Sequence, residues 1–194
     1  MSTTTMPNKP SRKQKLEEKA AKQAVISGAF SASTANIHEL YQLSVQNVEA
    51  EIDFIDETFE QLRDRKAVTL REDFCGTGNT SAEWVRRRST NTAIGLDLDQ
   101  PTLDFGHETH VAKLDADAEK RISLICRDVL APGDASGSDC VLAMNFSYWL
   151  FKTRENLRNY FIAVRESLGE DGVFFRSLRR VRSDDRNQRT QKNR

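Results

Sequence analysis

Three cysteines in 194 residues, Cys75, Cys126 and Cys140, are too few and too widely spaced for a disulfide framework. No C-x-x-C pair is present to hold zinc. Each lies in or beside an apolar run, where a free thiol behaves as a small buried hydrophobe. No apolar run approaches the roughly 18 residues that cross a bilayer. The stretch from Met1 to Pro10 lacks the apolar segment of a secretory signal. These absences predict a soluble, cytoplasmic chain without a membrane partner, and nothing in the sequence fixes its oligomeric state.

Net charge is also missing, yet its zero sum hides an uneven distribution. Residues 1–35 carry six basic and two acidic side chains, and residues 176–194 carry eight and two. The middle, 36–175, holds 15 basic and 25 acidic. Basic tails of this kind can meet nucleic acid, which stays open as a partner. They hold almost no aromatic residues for base stacking, so solvated tails are the favoured reading.

Composition and pattern then divide the chain into three. Residues 1–35 read as a disordered basic tail. Residues 36–175 read as one domain, and 176–194 as a second basic disordered tail. Within the domain, His38, Tyr41, Val45, Val48, Ile52, Ile55, Phe59 and Leu62 recur at steps of three and four. That spacing predicts one long amphipathic helix over 36–65, laid against the rest of the domain; a coiled-coil seam is the competing reading. From Ala67 short apolar runs alternate with helical patterns. Strands are expected near 67–71, 92–97, 122–126, 139–145 and 172–175. Helices are expected near 79–88, 101–113 and 153–168, with a short one near 115–120. Such alternation predicts a Rossmann-like α/β fold, a parallel sheet with helices on both faces.

The sharpest segment runs from Val68 to Gly78, VTLREDFCGTG, followed by a helical stretch from Asn79. A strand, a glycine turn and a helix in succession make a nucleotide-binding corner at a strand's carboxyl end. No lysine follows the glycines, which excludes a P-loop. Ser81 stands where a dinucleotide fingerprint has its third glycine, so that match is partial. Glu72 and Asp73 before the glycines repel a pyrophosphate and suit a ligand with a positive end. S-adenosylmethionine, with its ammonium and sulfonium, meets that demand.

Two further strands end in acids. Ala93–Asp99 places Asp97 19 residues after Gly78, the distance at which an acid reaches both ribose hydroxyls. Asp99 reads as the N-cap of the helix entered through Pro101. Ile122–Val129 ends in Asp128, able to accept from an adenine amino group with Val129 against the ring; a strand-end Asp also commonly caps a turn.

In this order and spacing, the segments resemble class I S-adenosylmethionine-dependent methyltransferases. Glu72–Gly78 is similar to the family's acid-x-G-x-G-x-G motif, Asp97 to its ribose acid, and Arg127–Val129 to its adenine segment. Asp139–Asn145 resembles its fourth strand, and Gly169–Phe175 the turn into its fifth. The likeness covers residues 67–175. It implies S-adenosyl-L-methionine as cofactor, held by Glu72, Phe74, Cys75, Gly76, Thr77, Gly78, Asp97, Leu98, Asp128, Val129 and Asn145. Phe74 departs from the pattern, standing where the first motif glycine is usual.

The resemblance implies methyl transfer, with the acceptor unidentified and a small molecule favoured. Asn145, Tyr148 and Trp149, just after the fourth strand, are candidates near the pocket mouth; Asn145-Phe-Ser-Tyr148 keeps the N-x-x-Y spacing of the family's amine-methylating motif without its prolines, so Asn145 and Tyr148 are the catalytic candidates, with a pocket-wall role the favoured reading. Tyr41 and Gln46 sit on the preceding helix, which in relatives lids the cofactor. The family's seven strands exceed the five expected here, since only Leu178 and Val181 are large and apolar after residue 176. An incomplete, truncated fold is therefore expected. That keeps open an inactive remnant or a cofactor- or partner-binding module, and, on the partial glycine pattern, a nicotinamide-dependent oxidoreductase. His107 and His110 form H-E-T-H, the wrong spacing for a zinc helix, and no metal is expected.

Overall fold

The computed structural model describes residues 37, 38, 40, 47–145 and 147–177, with Tyr148 described through its backbone alone. The chain divides into two units, Met1–Ser44 and Val45–Arg194. In the first, Ile37, His38 and Leu40 are helical. The second contains the α/β fold. The expected single helix over 36–65 is corrected here. Asn47 has φ −122° and ψ 72°, outside the helical range, and helix α1 starts behind it, Val48–Arg63. Asparagine is among the residues favoured at such a start. Of the apolar stripe, Ile52, Ile55 and Phe59 are fully buried, whereas Leu62 is 54% exposed. Full burial of each such side chain is worth about 1.5–3 kcal/mol.

Strand β1 (Thr69–Asp73) leads into α2 (Asn79–Arg87), and β2 (Thr92–Asp97) into α3 (Gln100–Thr109). A short 3-10 turn and α4 (Ala116–Glu119) precede β3 (Ile122–Cys126). Then come β4 (Ser138–Ala143), α5 (Arg154–Ser167) and β5 (Leu168–Arg176). All paired strands run parallel, in the order β3-β2-β1-β4-β5. The chain therefore lays strands outward on one side of β1, then returns to the other side for β4. Open α/β sheets bind ligands at such a reversal, outside the carboxyl ends of the strands.

Side chains alternate between the two sheet faces with the strand period of two. Leu70, Ala93, Cys140, Leu142 and Phe175 join Ile52, Ile55 and Phe59 of α1 and Trp84 and Val85 of α2 in one core. Leu96, Val141 and Ala143 face the other way, against Tyr160 and Val164 of α5. Two arginines fasten α1 to α2, Arg87 to Asp53 at 2.9 Å and Arg88 to Asp56 through both terminal nitrogens.

Two local expectations change. The turn foreseen at 169–172 lies inside β5 as a bulge, because Ser138 pairs with Leu168 and Cys140 with Val173. Arg65 clamps that bulge, reaching Asp139 and Asp171 at 2.7 Å each. Cys75 and Cys140 are buried, but Cys126 is exposed. It ends β3, the outermost strand on its side of the sheet, where less packs over it.

Under the α5 face lies a buried charge pair. Arg71 and Asp73 are both fully buried side chains on β1. Arg71 Nη2 donates to Asp73 Oδ2 at 3.0 Å, and its Nη1 donates to the Ala135 carbonyl at 3.1 Å. Arg71 Nε lies 2.9 Å from Asp73 Oδ1, an ion contact without hydrogen-bond alignment, which leaves both atoms short of a full bond. The Tyr160 hydroxyl donates to Asp73 Oδ2 at 2.9 Å. Burial raises the Asp73 pKa, opposed by the Arg71 charge and by the bonds from Arg71 and Tyr160. Removing one member of a buried pair leaves its partner uncompensated, at about 3–5 kcal/mol. Arg71→Met is accordingly expected to lower the urea-unfolding free energy by that amount; a loss below about 1 kcal/mol would show that the pair carries no such weight.

Candidate functional site

β1 ends in a tight corner made possible by left-handed backbone. Phe74 (φ 57°), Gly76 (55°) and Gly78 (66°) all adopt it, and Gly78 is also the N-cap of α2. A side chain at Gly78 has no room, since a Cβ there would fall 2.5 Å from Leu124 Cδ2. Gly106 of α3 lets that helix press against the Thr77 backbone. The corner is joined to the end of β2 by the Gly76 amide, which donates to Asp97 Oδ2 at 2.8 Å. Asp97 Oδ1 accepts from the Asp99 amide at 3.0 Å, so both carboxylate oxygens are held in place. Asp99 caps α3 by position, and its side chain accepts from Thr102 Oγ1 at 2.8 Å.

Beside the corner opens a cavity of about 640 Å³. That is inside the range of about 300–1,000 Å³ typical of small-ligand clefts. One rim comes from the ends of β2 and β3, with Asp97, Leu98, Asp128, Val129 and Leu130. The opposite rim comes from Phe74 and the segment after β4, with Asn145, Trp149, Leu150, Phe151 and Lys152. Asp128 also caps its own turn, Oδ1 accepting from the Leu130 amide at 2.9 Å. Asn145 holds a left-handed backbone (φ 53°) at the end of β4.

Six of the residues singled out by sequence thus meet around one space: Phe74, Asp97, Leu98, Asp128, Val129 and Asn145. Glu72, Cys75, Gly76, Thr77 and Gly78 are not among its lining residues. The Glu72 carboxylate is turned to the start of α2. Its Oε2 accepts from the Ser81 amide at 3.0 Å and from Ser81 Oγ at 2.6 Å. It therefore caps α2, offering charge where the helix has unpaired N–H groups. Asp73 is likewise spent on Arg71 and Tyr160, so neither acid selects a cationic ligand by lining this cavity. Cys75 sits buried under Gly95, its thiol pKa pushed well up by burial and then by the charges of Glu72 and Asp97, which leaves no thiolate nucleophile. Gly76, Thr77 and Gly78 shape the corner through backbone. The Tyr148 side chain, Tyr41 and Gln46 lie outside the described residues, so the N-x-x-Y pairing and the lid do not enter the geometry.

Of the second rim, sequence reading singled out Phe74, Asn145 and Trp149 and missed Leu150, Phe151 and Lys152. These three follow the N-x-x-Y segment without a motif of their own, and nothing local relates them to Phe74. Elsewhere, burial and the charges of Lys113 and Arg86 lower the His110 pKa. Among the described residues no cluster of three or more potential metal ligands occurs, and no helix is long and apolar enough to cross a membrane.

No family model and no curated protein matches the sequence. Solved structures do match its fold. The amino pentose methyltransferase CalS10 from Micromonospora echinaspora, solved with S-adenosylmethionine bound, superposes with TM-score 0.61 at 17% identity, covering 78% of this chain and 59% of that one. An S-adenosylmethionine-dependent methyltransferase from Clostridium acetobutylicum gives TM-score 0.60 at 20% identity, covering 72% and 55%. The glycopeptide N-methyltransferase MtfA gives 0.57 at 19%, covering 70% and 54%. The chain has the class I methyltransferase fold. It spans between half and three-fifths of the length of these neighbours. The methyltransferase fold places the cavity at the carboxyl ends of the central strands, where the sheet order reverses.

The fully buried Glu72 gives a pH prediction. Burial is the main cause raising its pKa to about 7, with a smaller push from Glu51, against the bonds from Ser81 and Thr80. Below the ordinary glutamate range both folded and unfolded chains hold the proton. As pH rises toward about 7 the unfolded chain gives it up first, so this group costs stability that is fully lost above its folded pKa. Glu72→Gln should therefore gain stability relative to the parent as pH rises from 4 to 8, by up to about 3 kcal/mol, read as a widening difference in Tm. A difference that stays flat with pH would contradict this account.

Proposed function

We propose that this chain binds S-adenosyl-L-methionine and transfers its methyl group to a small-molecule acceptor. The observation that carries the reading is one cavity, in a class I methyltransferase fold, around which Asp97, Leu98, Asp128, Val129 and Asn145 converge. The residues present fit the cofactor. Asp97 is pinned by two backbone amides yet is only half-buried, and a carboxylate has about four acceptor sites, so lone pairs remain for both ribose hydroxyls. The Asp128 carboxylate is exposed at the rim with acceptor capacity for an amino group, and Leu98 and Val129 offer apolar surface to a purine.

When bound, the cofactor would supply an activated methyl on sulfonium, which an acceptor's lone pair could take as the C–S bond electrons stay on sulfur and the acceptor's proton is lost to solvent. The chain's part is to position two reactants in line, which can supply about 7–11 kcal/mol of a barrier. Asn145, held at the end of β4 by its left-handed backbone, faces the space between the rims. Nucleic acid is less well suited as acceptor, since among the described residues only Arg127 and Lys152 line the cavity as cations and Arg127 is bonded to Asp134 and the Pro132 carbonyl.

Calorimetry with S-adenosylhomocysteine and, in parallel, with NAD tests this. Binding of the first and not the second is expected, and the reverse would favour an oxidoreductase. Asp97→Ala is expected to weaken S-adenosylhomocysteine at least tenfold; an unchanged affinity would remove Asp97 from the ribose.

A further inference from the structure

The second rim of the cavity has a chemistry of its own. Phe74 and Phe151 meet edge to face with centroids 6.0 Å apart, and both pack on Tyr160, at 5.7 and 5.0 Å. Tyr160 is fully buried and its hydroxyl is fixed on Asp73, so these rings stand on a rigid base. Trp149 and Leu150 extend the apolar surface and are 46% and 67% exposed. Exposed apolar side chains gathered at a cavity mark a binding surface rather than scattered surface residues. Beside them stands Lys152, exposed, and among the described residues neither a carboxylate nor a carbonyl pairs with it. The two acids of the cavity, Asp97 and Asp128, belong to the opposite rim.

We propose that this rim binds the methyl acceptor and that the acceptor is a small planar aromatic acid, its ring against Phe74 and Phe151 and its anionic group on Lys152. The inference rests on the methyl-transfer reading for the word acceptor, and on the rim alone for the ligand class. Rigid rings receive a flat π-system with little ordering cost and reward edge-to-face or offset contact. The lone ammonium gives an anion a charge-assisted partner. A protonated amine would meet Lys152 as a like charge.

The test titrates the full chain with 4-hydroxybenzoate, its neutral amide, and cyclohexanecarboxylate, each with and without saturating S-adenosylhomocysteine. The aromatic acid is expected to bind at least tenfold more tightly than either analogue and without competing with S-adenosylhomocysteine. Lys152→Ala should cost the aromatic acid about tenfold (about 1.4 kcal/mol) and leave the amide unchanged. Phe151→Ala should weaken both aromatic probes, and Phe74→Gly should do the same. Equal affinity for the three probes, competition with S-adenosylhomocysteine, or a Lys152→Ala loss confined to S-adenosylhomocysteine would each overturn the proposal. Failure of S-adenosylhomocysteine to bind while 4-hydroxybenzoate still discriminates would sink the cofactor reading and leave the rim assignment standing.

Discussion

The 2.8 Å bond from the Gly76 amide to the Asp97 carboxylate joins the two strand ends on which the cavity stands. Parallel strands share no hairpin, so their carboxyl ends are brought together only through the sheet and whatever bridges the loops above it. Here the bridge is charge-assisted, the stronger kind of hydrogen bond. It fixes the corner after β1 against the acid after β2, and the second Asp97 oxygen does the same for the entry into α3. The carboxylate that would hold a ribose is thus also a structural tie. Replacing it alters ligand recognition and corner geometry together, which is why binding of the cofactor product and fold stability need separate readouts.

On the other side of the corner, order is imposed from below. Arg71, Asp73 and Tyr160 form a polar network inside an otherwise apolar layer. Buried ion pairs of this kind add little net stability compared with an apolar core, but are costly to break. Their effect here is positional. Tyr160 comes from α5 and Asp73 from β1, so the bond sets where the helix sits on the sheet and hence where Phe151 and Phe74 stack.

Much of this could be read from the sequence. The five strands fall within a few residues of their expected places, helped by the apolar runs in β2, β3 and β4 and by the acids that end β1 and β2. Asp97 was legible because its distance from the glycine turn is fixed by the length of one helix and one strand. What failed was side-chain direction. Successive strand residues face opposite ways, so Leu70 and Glu72 face α1 and α2 while Arg71 and Asp73 face α5, and the string Arg-Glu-Asp gives no sign that each has its own buried partner. Tyr160 lies 87 residues from Asp73, and no local pattern announces the bond. The start of α1 behind Asn47 was hidden for a different reason: the apolar spacing of the sequence passes through Val45 and Val48 without interruption.

Phe74 shows how the two halves of the cavity constrain one another. The corner demands left-handed backbone at that residue, and a non-glycine side chain pays roughly 1–2 kcal/mol for it. Glycine would relieve that cost and keep the turn. The ring, however, contacts Phe151 and Tyr160 at once, and aromatic pairs of this geometry each return about 0.5–1.5 kcal/mol beyond burial. The two pair terms are already of the size of the strain, and the burial of the half-buried ring adds to them, so packing holds the left-handed residue in place. What glycine cannot provide is the wall. Without the Phe74 ring that rim of the cavity would lose one of the two rings that stand on Tyr160. Strain kept at one residue of a corner, where the surrounding contacts over-determine it, is a reason to look for function at that residue.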